Sequence, residues 1–204
     1  MNARFLGALA GVFCVWGAFA APMTFDFKDP KGVNSATFHL DGMLEAISGT
    51  ANGISGTVSF DPDNPGATTG SITVTTASMH VPNTMMDGHM HSPMWLDAAK
   101  YPEIKFVTGK LENVNSTDNG ITADAHGTLT IKGISKEITA PVRLTYLKDK
   151  LGERIPNAHG DILMLRSHFT IHRSDFNIQA HKNEAVVSDG IEIGLTLSGS
   201  CPAS

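Results

Sequence analysis

The chain has 204 residues, 41% of them hydrophobic and 17% charged, with 2 Cys and a formal net charge of −5. That composition fits one globular domain; it excludes a disordered chain, which would be poorer in apolar residues, and a disulfide scaffold, which would need more cysteines in a shorter chain. The acidic balance leaves no basic footprint for neutralising phosphates, so nucleic acid is not an expected partner.

Residues 1–20 read as a signal peptide. Met1-Asn2-Ala3-Arg4 is a short cationic start, the apolar run Phe5 to Phe19 is too short to span a bilayer, and Ala18-Phe19-Ala20 puts small residues where a signal peptidase reads. Cleavage between Ala20 and Ala21 then leaves one exported domain over residues 21–204. No later stretch approaches 18 consecutive apolar residues, so no transmembrane anchor is expected after cleavage. Cys14 departs with the leader and Cys201 stands alone near the end, which rules out an intrachain disulfide; Cys201 reads as a disordered tail thiol.

From residue 23 the dominant pattern is alternation with period two. It appears at Phe25/Phe27, Ala36/Phe38/Leu40, Ile54/Val58/Phe60, Ile72/Val74 and Ile104/Phe106. The clearest case runs Ile121, Ala123, Ala125, Leu129, Ile131 against Thr122, Asp124, His126, Thr128, Thr130. After Gly133-Ile134-Ser135-Lys136, read as a turn, Ile138, Val142, Leu144 and Tyr146 line one face of a second strand, so the pair predicts a β-hairpin. Further strands follow at Phe169/Ile171 and Ile191/Ile193/Leu195/Leu197. About eight or nine strands between Gly, Pro, Asn and Asp clusters predict an all-β sandwich or barrel.

Two segments interrupt the rhythm. Asp61-Pro62-Asp63-Asn64-Pro65-Gly66 is a loop. Val81 to Tyr101 is a long connection in which Ser92 as N-cap, Pro93 at the first helical position and the following helix formers predict a short helix over about 93–100. Loops of that length inside compact domains are commonly functional, which makes it a segment of interest.

Three segments carry a resemblance. They are Gly127-Thr128-Leu129-Thr130-Ile131-Lys132-Gly133-Ile134-Ser135-Lys136-Glu137-Ile138-Thr139-Ala140-Pro141-Val142, Leu96-Asp97-Ala98-Ala99-Lys100-Tyr101-Pro102-Glu103-Ile104-Lys105-Phe106, and Arg173-Ser174-Asp175-Phe176. In order and spacing they resemble the YceI family of exported, lipocalin-like proteins, over essentially the whole chain after the leader. The resemblance implies an eight-stranded antiparallel lipocalin-like barrel whose interior holds a long isoprenoid or quinone-like amphiphilic lipid, in the periplasm; full secretion is the alternative. The chain departs from the family at Met90, His91 and Asn177, where a hydrophobic or basic residue and a glycine are usual. Asn tolerates positive φ, so the last turn survives.

An eight-stranded barrel has just enough interior for side chains or one small ligand. Phe38, Phe60, Phe106, Phe169 and Phe176 fall on inward positions of different strands, and Met94 and Trp95 on the helix expected over one mouth, so these seven are the candidate lipid-binding residues. The alternative for each ring is a place in a solid core. No covalent cofactor is implied, and no catalytic constellation stands out. Gly53-Ile54-Ser55-Gly56 lacks the second glycine of a nucleophile elbow, and Arg173 with Asp175, facing one way on an extended segment, reads as a strand-end ion pair or turn. The chain is therefore not expected to be an enzyme, and whether it forms a homodimer is left open. A second reading rests on Met79, His80, Met85, Met86, His89, Met90, His91 and Met94: thioether with imidazole selects copper, and His-x-His on an extended segment would aim both rings to one side, as a zinc site could also use. His89, Met90, His91 and Met94 are its candidate ligands.

Overall fold

The computed structural model describes residues 21–203; the expected signal segment over 1–20, with Cys14, lies outside the described residues. The strands are β1 (Met23–Asp26), β2 (Ser35–Asp41), β3 (Ala46–Ala51), β4 (Ile54–Phe60), β5 (Thr69–Thr75), β6 (Met79–His80), β7 (Glu103–Thr117), β8 (Gly120–Ile131), β9 (Ile134–Leu147), β10 (Gly160–His172) and β11 (Gly190–Pro202). Two helices, α1 (Thr84–His91) and α2 (Leu151–Arg154), sit on connections. Pairing runs β1-β4-β5-β7-β8-β9-β10-β11 and returns to β1 where Asp26 meets Ser200, which closes an eight-stranded antiparallel barrel. Closure leaves no free sheet edge around the ring. At one end β2 continues along β11 beyond β1, and β3 and β6 extend the wall from it.

The alternation explains which face points in. On β8, Ala123, Ala125, Leu129 and Ile131 are buried while their neighbours face outward. The turn into β9 is tighter than the sequence reading. Lys132 (φ 50°) and Gly133 (φ 74°) form a two-residue turn, Ile131 pairs with Ile134, and Ser135 and Lys136 already belong to the strand. Positive φ at both central positions matches the twist of the strands, and glycine supplies the second at no steric cost.

Where β1 hands over to β2, the chain leaves β11 at residues 27–34 and one stretch of the β11 backbone loses its partner. Asn34, only 2% exposed, fills the gap with its side chain: its Oδ1 accepts from Ser198 N at 2.8 Å, and its Nδ2 donates to the carbonyls of Phe27 and Ser198 at 3.0 and 3.1 Å. Asp29 holds the same crossing. Its carboxylate accepts from the backbone N–H groups of Lys31, Val33 and Asn34 and pairs with Arg154 of α2 at 3.0 Å. Burial pushes its pKa up, but the N–H groups of Asn34, Lys31 and Val33 together with Arg154 outweigh that and hold it below the usual carboxylate range. A depressed carboxyl stabilises the fold fully above its unfolded pKa and loses that contribution as pH falls through the folded value. The stability gap between the protein and Asp29→Asn, measured by urea unfolding, is therefore expected to be widest near neutral pH and to narrow below about pH 4. A gap constant from pH 7 to pH 3 would show that the charge on Asp29 contributes nothing.

The short helix falls earlier on the long connection than expected. Asn83 caps α1 by accepting from Met85 N and Met86 N at 3.0 and 3.1 Å, whereas the Ser92 hydroxyl turns back to donate to the carbonyl of His89 at 2.7 Å and closes the same helix. Residues 93–100 form turns instead, and Asp97 at φ 51° prevents helix propagation there. Cys201 is likewise not on a loose tail. It lies opposite Asp161 within β11, half-buried, and burial pushes its thiol pKa up.

The two ends of the barrel differ in filling. At one, Phe25, Phe60 and Tyr146 meet with ring centroids 5.9–6.2 Å apart, backed by Leu163, Leu197 and Phe27. Tyr146 donates to Asp161 at 2.7 Å; burial, then that carboxylate, pushes its hydroxyl pKa well above the ordinary value. This end is a solid core.

Candidate functional site: a hollow apolar interior

Toward the other end the interior is open. A cavity of about 410 Å³ reaches from mid-barrel, between Ala125, Ala140 and Leu165, up to α1 and the segment 177–189. It exists because small inward residues lie side by side on paired strands. Ala125 lies directly opposite Ala140, and Ala36 opposite Ala51, so two places in the wall carry a methyl on both strands where larger side chains would meet. The walls between them are aliphatic, from Val58, Ile72, Leu111, Leu129, Val142 and Ile193. Three hydroxyls on the wall are spent on the barrel's own backbone: Thr68 donates to Pro65 O at 2.6 Å, Thr108 to His126 O at 2.7 Å and Ser167 to Pro141 O at 2.6 Å. What faces the void is therefore almost wholly hydrocarbon. Glu45 and His89 put polar groups at the mouth.

The mouth is roofed by α1 and by residues 177–189, whose path is fixed by Arg173. Arg173 is 0% exposed, yet no carboxylate touches it. Its Nε donates to Ser188 O at 3.0 Å, Nη1 to Ile178 O at 3.0 Å and to Gln179 O, and Nη2 to Lys182 O at 2.7 Å and Val187 O at 3.0 Å. All five guanidinium N–H groups are thus matched to carbonyls of one loop. The Trp95 ring covers the group, 6.0 Å from its carbon to the ring centroid. Asn177 (φ 51°), Gln179, His181 and Asn183 adopt left-handed backbone, which curls the loop around the guanidinium. Asp189, at its far end, accepts from Ser174 N and Oγ; burial raises its pKa, but these bonds, with Arg173 and His172, hold it below the usual range. Of the strand-end ion pair or turn expected of Arg173 and Asp175, the turn forms, as a single 3-10 turn over Arg173–Phe176, and the ion pair does not, since Asp175 is exposed and lies 4.0 Å from Lys136.

Of the seven residues expected to meet a lipid, Phe38, Trp95, Phe106 and Phe169 line this cavity. Phe60 belongs to the filled end. Phe176, 1% exposed, packs under the roof with Leu96, Ile171 and Ile178, and Met94 is 67% exposed on the rim. Met86 and Met90, singled out in the sequence for the Met/His cluster, are also wall residues, as are Val186 and Val187, which the sequence reading passed over.

The His89-Met90-His91 part of the methionine and histidine segment is helical, which overturns the extended geometry assumed for it. In α1, His89 and His91 stand about 200° apart. His89 faces the cavity, while His91 turns to Asp87 (3.9 Å) and places its Nε2 3.2 Å from the carbonyl of Thr76. Met90 lines the cavity and Met94 stands apart on the rim. Among the described residues no three His, Cys, Asp or Glu side chains converge closely enough to hold a metal ion. Asp87 instead ties α1 to the wall: it accepts from Val81 N at 2.9 Å and lies 3.5 Å from His80. The Val81 bond holds its carboxyl below the usual range against a smaller effect of burial, helped by His80 and His91.

A closed antiparallel barrel, packed at one end and hollow and apolar at the other, defines a lipocalin-like barrel. A YceI-like domain model matches residues 25–198, and the chain belongs to the YceI family. A UPF0312 protein of Pseudomonas syringae pv. tomato is 31% identical over 156 residues, 75% of this chain and 73% of that protein. Protein YceI of an Escherichia coli strain is 30% identical over 134 residues, 65% and 66% of the two chains. Among solved structures, a Campylobacter jejuni YceI protein superposes with TM-score 0.61 at 26% identity, covering 74% of this chain and 83% of its own. A polyisoprenoid binding domain from Saccharophagus degradans superposes with TM-score 0.61 over 89% and 99% of the chains; at 12% identity that likeness is one of fold. No helix among the described residues is long and apolar enough to cross a membrane.

Proposed function

We propose that this protein binds a long-chain isoprenoid or quinone-like amphiphilic lipid, its tail in the cavity among Phe38, Phe106, Phe169 and the aliphatic wall, its head toward Glu45 and His89 at the mouth. The observation that carries the reading is the continuous apolar cavity of about 410 Å³, within the range of roughly 300–1,000 Å³ typical of ligand pockets. The polyisoprenoid-binding name of the Saccharophagus degradans domain and the membership of the YceI family support it. Each buried methylene contributes about 0.8 kcal/mol, so a few isoprene units outweigh the cost of association, about 4–15 kcal/mol. The role is binding rather than turnover, because the hydroxyls of Thr68, Thr108 and Ser167 on the wall are committed to carbonyls rather than to a base. Export through the 1–20 leader to the periplasm is part of the same proposal, since such a lipid needs a carrier in an aqueous compartment.

Organic extraction of the purified domain, followed by mass spectrometry, is expected to release a prenyl-chain lipid in amounts approaching one per protein. Extracts without lipid, together with no saturable uptake of a fluorescent prenyl-chain probe, would overturn the reading.

A further inference from the structure

The four most exposed large apolar side chains among the described residues are Met43 (86%), Met85 (71%), Leu44 (70%) and Met94 (67%). All four frame the mouth. Met43 and Leu44 form the tip of the β2–β3 hairpin, whose next residue, Glu45, lines the cavity; Met85 precedes Met86, also on the cavity wall; Met94 adjoins Trp95. Two of these segments are tied to the roof, Leu44 N donating to Ala185 O at 3.1 Å and Gln179 Nε2 to Met94 O at 3.2 Å. The greasy rim is therefore continuous with the greasy interior. Exposed apolar groups gathered at one place mark an interaction surface.

We propose that this rim inserts into the surface of a zwitterionic bilayer, so that lipid passes between the membrane and the cavity without crossing water. The inference rests on the lipid reading of the cavity. If a tail left through the mouth into solvent, each methylene exposed would slow exit by about fourfold, so exchange of a long chain requires an apolar phase against the opening. Charge selects the kind of membrane. Asp41, Glu45 and Glu184 stand around the opening with Lys182, and Lys132 reaches the rim beside Met94 through Pro93 O at 3.2 Å, so the lysines there do not outnumber the carboxylates; with −5 on the whole chain, attraction to anionic headgroups is not what holds the rim down. Insertion by unbranched, flexible methionines and a leucine needs no such attraction.

The test compares the protein with Met43→Glu/Leu44→Glu/Met85→Glu. These side chains project into solvent and leave the cavity wall intact. Flotation with phosphatidylcholine vesicles is expected to show partitioning that survives high salt and falls at least about tenfold in the variant. Transfer of a fluorescent prenyl-chain probe from those vesicles should slow in parallel, while uptake of the same probe dispersed in detergent stays unchanged. Equal vesicle binding by both proteins, or binding that salt abolishes, overturns the proposal. So does a rim that holds two copies together, seen as a dimer that the variant dissociates without any vesicle binding. Failure of probe uptake from detergent would instead strike the lipid reading of the cavity, and flotation reads the rim independently of it.

Discussion

Replacing Arg173 with methionine is expected to cost about 3–5 kcal/mol of folding stability and to lower the melting temperature by roughly 10 °C in a domain of this size. The substitution keeps a long apolar stem beside Trp95 but removes five donors, leaving the carbonyls of Ile178, Gln179, Lys182, Val187 and Ser188 turned inward without partners. Each orphaned carbonyl is costly, and the segment relieves the cost by opening to water, so the losses do not add fully. Arg173→Lys should recover only part of the stability, because an ammonium carries three donors on a point and cannot reproduce a planar fork. The reading that separates this account from general destabilisation is hydrogen exchange. Amides of residues 177–189 are expected to lose protection in the variant while those of β8 and β9 keep theirs. If protection in 177–189 is unchanged, Arg173 does not organise the roof.

The sequence carries the barrel walls plainly and the roof hardly at all, for physical reasons. Period-two patterning depends only on neighbours along the chain, so β8, β9 and β11 are legible, and with them the inward direction of each phenylalanine. Height along the barrel axis depends on register between strands that are distant in sequence. Phe60 points inward as its pattern says, yet its pairing with Met23 places it in the packed end. The same limitation hides the void. Ala125 is visible as an inward residue, but that Ala140 faces it across the strands, leaving a gap, follows only from the pairing. β3 escapes because Ala46-Ile47-Ser48-Gly49-Thr50-Ala51 has little apolar contrast, and β6 because two residues make no period. In the long connection two N-cap signals compete, and Asn83 wins while Ser92 serves the other end of the same helix. For Arg173 the local signal is a cation on an extended segment. Its burial arises from four left-handed residues in the following loop, of which only Asn177 and Asn183 are of a type that favours that conformation.

Filling the void is expected to have opposite effects on stability and on lipid content, and that pairing tests the cavity directly. Ala125 and Ala140 are buried at 3% and 4% exposure, both line the cavity, and each faces the other from adjacent strands. A phenyl ring needs roughly 100–150 Å³ of apolar space, so Ala125→Phe and Ala140→Phe together claim a large share of the 410 Å³ available. In a tightly packed interior such insertions force rotamers and backbone apart at a cost of about 1–3 kcal/mol each. In a dry, preformed cavity the ring gains contacts that the wall atoms otherwise lack, and the lipid-free protein should become more stable by about 0.5–2 kcal/mol. Prenyl-chain lipid recovered by extraction should meanwhile fall at least about tenfold, since the tail and the rings compete for one volume. Single variants should show intermediate losses, with Ala125→Phe and Ala140→Phe alike because they enter the void side by side from paired strands. A double variant that unfolds at lower denaturant than the parent, both stripped of lipid, would mean that the interior in front of β8 and β9 is already filled in solution. One that retains its lipid at parental levels would place the ligand elsewhere.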